Sequence, residues 1–485
     1  MRLLEETENY RGRLTELRRE FHRHPDMTGH EEETIRRISV HLEKAGIPFE
    51  IIPDGGLLAY IYGTGYEPEA GNEPWQPGYV EDGDITLLNS SLYYGPEGTK
   101  CAGAMPDVTR TWKMNTVLLR ADVDALPVQE DPDNLAGPKC CVSENDGLCH
   151  ACGHDAHIAM QIAAAEYLMQ HRDRIRGRVL LMFERGEEGP NNVIHIYRRM
   201  ICKNLHVDAA YGTHVYSALE SGKIAVQSGP VMAGGVFYKV RLIGKGGHGS
   251  RPDMTSNPID CFISIAAGLN EFRMKHTDPF HALTYAPTLV HSGAVDNVIP
   301  GDLVFGGNVR LYDLEDGVKF KNYFFDLLER SCSLYGCSFE TEYCIGPKVP
   351  VKNDPAIAAM AKRCIGDVVG SEMLCETEPW MACESFCTTL AVIPGVFTFL
   401  GMKNPEKGTG APHHNGKFDL DEDVLPAGMA AALGFAFGFL NENTPPGHGW
   451  FRGGLAELYD ISGYGAEKTA YLRDGTVFTI RDGKR

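Results

Sequence analysis

The chain has 485 residues, more than a single hydrophobic core usually serves, so two domains with appendages are expected. Hydrophobic residues make up 43% and charged residues 23%, a globular balance that argues against disorder. The formal net charge of −19 argues against nucleic acid and anionic membranes as partners.

The N-terminal MRLLEETENYRGRLTELRREF is heavily charged and lacks the apolar run of a secretory signal. Residues 3–21 put Leu3, Leu4, Tyr10, Leu14, Leu17 and Phe21 at helical spacing, and residues 31–45 repeat the pattern up to Gly46. Apolar runs then alternate with helical ones. TVLLRADVDA (116–125) reads as a strand, AHIAMQIAAAEYL (156–168) as a helix, and RVLLMF (178–183), DAAYGTHV (208–215) and GVFTFLG (395–401) as strands. That alternation predicts an α/β domain with a mixed, mostly parallel sheet.

The rhythm changes between 230 and 348, where strand, helix, two strands, helix and strand predict an inserted two-layer βαββαβ domain. The expected organisation is a catalytic domain in two parts, 1–229 and 349–442, around the inserted domain at 230–348. Residues 64–115 read as an insertion and 443–485 as a C-terminal extension with Asp-Gly turn signals. The apolar stretch 424–440 falls short of a membrane span and holds Pro426 and three glycines, so it reads as a buried core helix. Fourteen cysteines without an export signal fit a reducing cytoplasm and mostly free thiols.

Chemistry-bearing residues collect just after the expected strands. Asp122 and Asp124 end TVLLR, Glu187 and Glu188 follow RVLLMF, His214 follows DAAYG, and His413 and His414 follow GVFTFLG. Strand carboxyl ends form the ligand crevice of an open α/β sheet. Any one of these residues is ordinary in a surface loop; together with CHACGHD (149–155) they make a metal-ligand inventory. Cys149 and Cys152 alone also fit a redox pair, but no second CxxC or HxxxH completes a zinc ribbon. If Glu187 and Glu188 sit on extended chain they face opposite ways, one to a metal and one to the water it activates.

LRREFHRHPD (17–26), LLRADVDALPVQE (118–130), CHACGHDAH, GEEG (186–189), GTHV (212–215), GKGGHGSRP (244–252), NVIP (297–300) and PHHNGKFDLDED (412–423) occur in this order. The set resembles the amidohydrolase branch of the aminoacylase and carboxypeptidase-G metallopeptidase family, which includes hippurate hydrolases, N-acyl-amino-acid amidohydrolases and aminobenzoyl-glutamate hydrolases. The resemblance implies two divalent metal ions per subunit, Zn²⁺ or Mn²⁺, with Co²⁺ or Ni²⁺ also compatible. Cys152 would bridge them, His154 and His214 would complete one, and Glu188 and His414 the other. Asp124 would orient an imidazole, and Cys149 would stand outside the coordination. Glu187 would be the general base in hydrolysis of an N-acyl or N-aroyl amino acid.

The resemblance also makes the inserted domain a lid and homodimer interface. Its His248 would reach the oxyanion in the partner's site, and Asn297 and Arg310 would bind the substrate, Arg310 taking its carboxylate. Asn297 lies in the turn before the Arg310 strand, which raises the expectation that the two converge on one spot. Three other readings remain open: a dipeptidase or carboxypeptidase of the same family, a catalytically silent metal-binding scaffold, and a redox protein using Cys149 and Cys152.

Overall fold

The computed structural model describes residues 2–65, 115–189, 193–202, 205, 207–442, 449–451, 468–471 and 477–480. Most of the expected insertion and of the C-terminal extension therefore lies outside the described residues. Helices α1 (Arg2–Glu8), α2 (Arg11–Arg23) and α3 (Glu32–Lys44) open the chain. They are followed by β1 (Phe49–Ile52), β2 (Gly56–Tyr62), β3 (Thr116–Asp122), α4 (His154–Gln170), β4 (Arg178–Glu184), α5 (Val193–Cys202), β5 (Ala209–Glu220) and β6 (Ile224–Ala225). The middle holds β7 (Gly229–Met232), β8 (Gly234–Ile243), β9 (Gly247–His248), α6 (Pro258–Lys275), β10 (Leu283–Ser292), β11 (Val298–Ile299), β12 (Asp302–Leu311), α7 (Leu314–Tyr335) and β13 (Ser338–Lys348). The remainder is β14 (Val351–Asn353), α8 (Pro355–Val369), β15 (Leu374–Cys375), α9 (Cys387–Val392), β16 (Gly395–Lys403), α10 (Leu425–Asn441) and the hairpin strands β17 (Lys468–Tyr471) and β18 (Val477–Ile480).

One compact unit comprises Met1–Gly229, Lys352–Glu378 and Val392–Trp450. Its eight-stranded sheet has the order β1-β2-β4-β3-β5-β16-β6-β15. The four central strands, β4, β3, β5 and β16, are mutually parallel, and β1 and β2 add antiparallel at the edge. Every residue of β3 and β4 is buried, as a strand covered on both faces requires. Helix α4 is apolar nearly all round and buried along its length, so no solvent face is left for polar residues. Helix α10 is long and apolar enough to cross a membrane, yet most of it lies in the core of this unit, as its Pro and Gly content anticipates.

Two expectations need correction. Residues 3–21 form two helices rather than one, because the chain turns between Glu8 and Arg11. His214 stands inside β5, not after it. The pairing of Arg120 with Gly212 explains this: β5 runs past the end of its neighbour, so His214 is level with Asp122 at the carboxyl end of β3.

The second unit comprises Pro230–Val351, Pro379–Ala391 and Phe451–Arg485. Its antiparallel sheet, in the order β10-β12-β8-β13, carries α6 and α7 over a core that includes Tyr238, Phe305, Phe320 and Phe324. Inward residues alternate with outward ones along β8 and β12, the signature of a sheet packed on one face.

Candidate metal centre

Parallel strands deliver their carboxyl ends to one side, and the turns leaving β3, β4 and β16 carry most of the candidate residues of the first unit. The loop before α4 brings Cys152, and the first residue of the helix is His154. Gly153 between them has φ 89°, and a Cβ there would run into Val215, so only glycine lets the loop turn this tightly into the helix. His414 is also in the left-handed region, at φ 62°, and its N–H donates to Ala151 O at 2.9 Å. That bond ties together the two loops that carry the candidate ligands Cys152 and His414.

Ligand-capable atoms of Cys152, Glu188 and His414 lie within 4.8 Å of one another, as do those of His154, Glu187 and Glu188. His414 Nε2 is 2.9 Å from Glu188 Oε1, and Cys152 Sγ is 3.4 Å from His214 Nε2. The five residues expected as ligands, Cys152, His154, Glu188, His214 and His414, are thus gathered in one place with Glu187. Residues 187 and 188 sit in a turn, not on extended chain, so both carboxylates reach the same region and the expectation that they face opposite ways fails.

Hydrogen bonds decide which ring nitrogens remain free. His154 Nδ1–H donates to Asp124, at 2.9 Å to its carbonyl and 3.1 Å to Oδ1. Its Nε2 is buried with no hydrogen-bond partner. Asp124 Oδ2 in turn accepts from Thr28 Oγ1 and from the Glu188 N–H, both at 2.8 Å, so one carboxylate fixes an imidazole and the glutamate turn together. His214 Nδ1–H donates to Val215 O at 2.6 Å, directing Nε2 toward Cys152.

His157, to which sequence reasoning gave no role, is close by. Its Nδ1–H donates to Asp122 Oδ1 at 2.5 Å and its Nε2 accepts from Val215 N–H at 3.0 Å, so neither nitrogen is left for an ion. Its i, i+3 spacing from His154 on a helix was the available signal. His413 Nε2 accepts from Ser217 N–H, leaving a protonated Nδ1 3.8 Å from Cys152 Sγ. Arg120 bridges Asp122 (2.8 Å) and Glu184 (2.7 Å), all three buried.

The pocket is strongly electronegative. Burial disfavours charge on His154, yet Asp122, Asp124 and Glu188 outweigh it and raise its pKa to about 10. Burial, then Glu188 and Glu187, push the Cys152 thiol well above its ordinary value, the reverse of an activated redox cysteine. Cys149 lies in the hydrophobic core, with its pKa pushed up to about 12 by burial. An orphaned imidazole nitrogen, a thiol and two glutamates in an electronegative pocket fit divalent cations, with mixed S, N and O donors.

In the second unit His248 and Asn297 are neighbours: His248 pairs with Val298, and Gly249 N–H donates to Asn297 O at 2.8 Å. His248 is exposed, and its Nδ1 accepts from Ser250. Arg310 does not join them. It lies at the far end of β12, about 26 Å from the start of that strand at ~3.3 Å per residue, so Asn297 and Arg310 do not converge within one copy. Its guanidinium stacks 4.7 Å from the centre of the Phe237 ring, and Nη1 donates to Cys383 Sγ at 2.6 Å.

Residues 118–437 match the family described as Peptidase family M20/M25/M40. Thermostable carboxypeptidase 1 of Saccharolobus solfataricus is 30% identical over 431 residues, covering 88% of this chain and 96% of that protein. An IAA-amino acid hydrolase of Arabidopsis thaliana is 28% identical over 430 residues, covering 88% of this chain and 85% of that protein. Among solved structures, the Bacillus subtilis YXEP protein, described as a dinuclear metal binding peptidase, superposes with a TM-score of 0.64 at 25% identity, covering 89% of this chain and 98% of that one. Fold, donor set and relatives agree: the chain belongs to peptidase family M20/M25/M40 and is a metal-dependent hydrolase of amides.

Proposed function

We propose that this enzyme cleaves the amide bond of N-acyl or N-aroyl amino acids, of the hippurate or aminobenzoyl-glutamate kind, to a carboxylic acid and an amino acid. The observation that carries the proposal is the gathering of Cys152, His154, Glu188, His214 and His414 around a further carboxylate, Glu187. We assign the five to two divalent ions per subunit, Zn²⁺ or Mn²⁺, with Co²⁺ and Ni²⁺ compatible. Such ions, when bound, polarise an amide carbonyl and acidify water. Glu187 takes the proton of the attacking water and delivers it to the departing nitrogen. Asp124 keeps His154 in the tautomer that leaves Nε2 free.

Arg310 is assigned to the substrate carboxylate, because a guanidinium donates two parallel hydrogen bonds to it. Asn297 and His248 complete the substrate contacts across a homodimer formed by the 230–348 domain. The edge strand β10 supports that dimer. Among the described residues its outer side pairs with no strand, and Val290, Val295 and Val298 in and after it are exposed. The free thiols among the described residues support a reducing, cytoplasmic setting.

A carboxypeptidase acting on peptides is the second reading, favoured by the 30% identity to the Saccharolobus enzyme. A turnover screen with N-acetyl, N-benzoyl and N-aminobenzoyl amino acids beside free dipeptides, repeated with each metal, separates the two. N-aroyl amino acids should turn over fastest. Faster cleavage of free dipeptides would replace the proposal with a peptidase, and no turnover of either class with any metal would overturn the proposed substrate class.

A further inference from the structure

Three thiols, on α6, on α7 and just after α7, lie inside the second unit. Cys261 in α6 and Cys332 in α7 are both buried, with their sulfurs 3.9 Å apart. Cys337, just after α7, is half-buried and interacts with Cys261. A disulfide needs its sulfurs about 2.05 Å apart, so Cys261 and Cys332 must close by about 2 Å. Buried cysteines are commonly just small hydrophobes. Here, however, Cys337 is the accessible member of the three, whereas Cys261 and Cys332 are both buried, so an oxidant in solution meets Cys337 first. Cys337 Sγ also faces Ser256 O at 3.8 Å. Ser256 and Lys245 exchange backbone hydrogen bonds of 2.9 and 3.0 Å, closing the base of the segment that carries His248.

We propose that Cys337, Cys261 and Cys332 form a thiol–disulfide relay that ends in a Cys261–Cys332 cross-link between α6 and α7, with a small-molecule disulfide as oxidant. The Cys337 thiolate attacks that disulfide, forming a mixed disulfide and expelling one small thiolate, which takes up the proton Cys337 gave. The Cys261 thiolate then attacks the Cys337 sulfur and expels the second small thiolate, which takes up the Cys261 proton. Finally Cys332 attacks the Cys261 sulfur, and the proton it loses returns Cys337 to the thiol. Two protein thiols are oxidised by two electrons and one small disulfide becomes two thiols. The contact between Cys261 and Cys332 lowers the pKa of Cys332, as the last attack needs, and raises that of Cys261, which slows the middle step. Burial and Cys261 push Cys337 up to about 11, so the first exchange is slow.

The test is to incubate the full chain with oxidised glutathione, trap free thiols at intervals and map disulfides by mass spectrometry without reduction. The cross-link Cys261–Cys332 should accumulate while Cys337 returns to the thiol. Cys337→Ser should slow it by at least roughly tenfold, and Cys332→Ser should stop at a Cys261–Cys337 disulfide. Cys337→Ala, which places no hydroxyl against Ser256 O, serves as a second variant should the serine perturb the turn. Glutathione retained on Cys337 with no protein disulfide would overturn the relay. So would an unchanged cross-linking rate in both Cys337 variants, or intact Cys261 and Cys332 after the exposed Cys140 is fully modified.

Discussion

His154, His157 and His214 lie within ring contact of one another, and hydrogen bonds rather than residue type separate them. His154 keeps a free Nε2, whereas His157 spends both nitrogens holding Asp122 and the Val215 N–H beside His214. His157→Ala should therefore weaken metal binding by about 10–100-fold without abolishing it, the usual effect of losing a group behind a ligand. A metal titration by calorimetry checks this, and complete loss of binding would make His157 a ligand. The two glutamates divide in the same way. Glu188 meets His414, and its N–H is held by Asp124, so Glu188→Gln should lose metal. Glu187→Gln should keep it while turnover falls by about 10²–10⁴-fold, the contribution of a general base. Elemental analysis beside kinetics decides, since equal metal loss in both variants would merge their roles. Sequence pattern made the candidate ligands at 152, 154, 188, 214 and 414 legible as residue types. It could not show which nitrogen of a histidine is already committed, because that depends on the Val215 backbone and on Asp122, far away in the chain.

The start of α4 is held by α2 through a buried ion network. Arg18 and His22, one turn apart on α2, reach Asp155 at 2.9 and 2.8 Å, and His22 Nε2 reaches Glu130 at 2.9 Å. Lys139 lies 2.8 Å from Glu130, and the Ser143 N–H donates to it at 2.6 Å. Burial raises the Glu130 pKa, but His22 and Lys139 outweigh it and hold it at about 2, below an ordinary value of 4.5. Its stabilising contribution is thus complete above about pH 4.5 and is lost as pH falls toward 2. His22 runs the other way. Burial and Arg18 lower its pKa, but Asp155 and Glu130 raise it above 6.5, so its contribution is complete below 6.5 and fades as pH rises past its folded value. Urea unfolding with a chelator present, so that metal loss does not intrude, should show wild-type stability dropping from pH 5 to 3. Glu130→Gln should lower the plateau by about 1.5–3 kcal/mol and flatten that drop. An unchanged acid limb would remove Glu130 from the network. Helical spacing announced α2 and α4, but not this clamp, because partners at 18, 22, 130, 139 and 155 share no local pattern.

For the whole molecule, alternation of apolar runs was enough to foresee a parallel-centred sheet and a change of rhythm to βαββαβ between 230 and 348, since each strand's burial is written in its own residues; the antiparallel pairing of that second sheet was not foreseen. Distances along one strand were less legible. Asn297 and Arg310 are close in sequence, yet Asn297 precedes the extended β12 and Arg310 lies at its far end. A single copy thus splits the proposed lid contacts, which makes subunit exchange the decisive measurement. His248→Ala and Glu187→Gln subunits should each be inactive alone. In a mixed dimer acting across the interface, one site combines an intact Glu187 with an intact His248 from the partner, while the other site lacks both. Random exchange makes half the dimers mixed, so activity should recover to about a quarter of wild type. If His248 serves its own subunit, every site in the mixture lacks one of the two groups and no activity returns. Exchange must be verified by mass tags on the two variants. Verified exchange without recovery would confine His248 to its own subunit or remove it from the reaction.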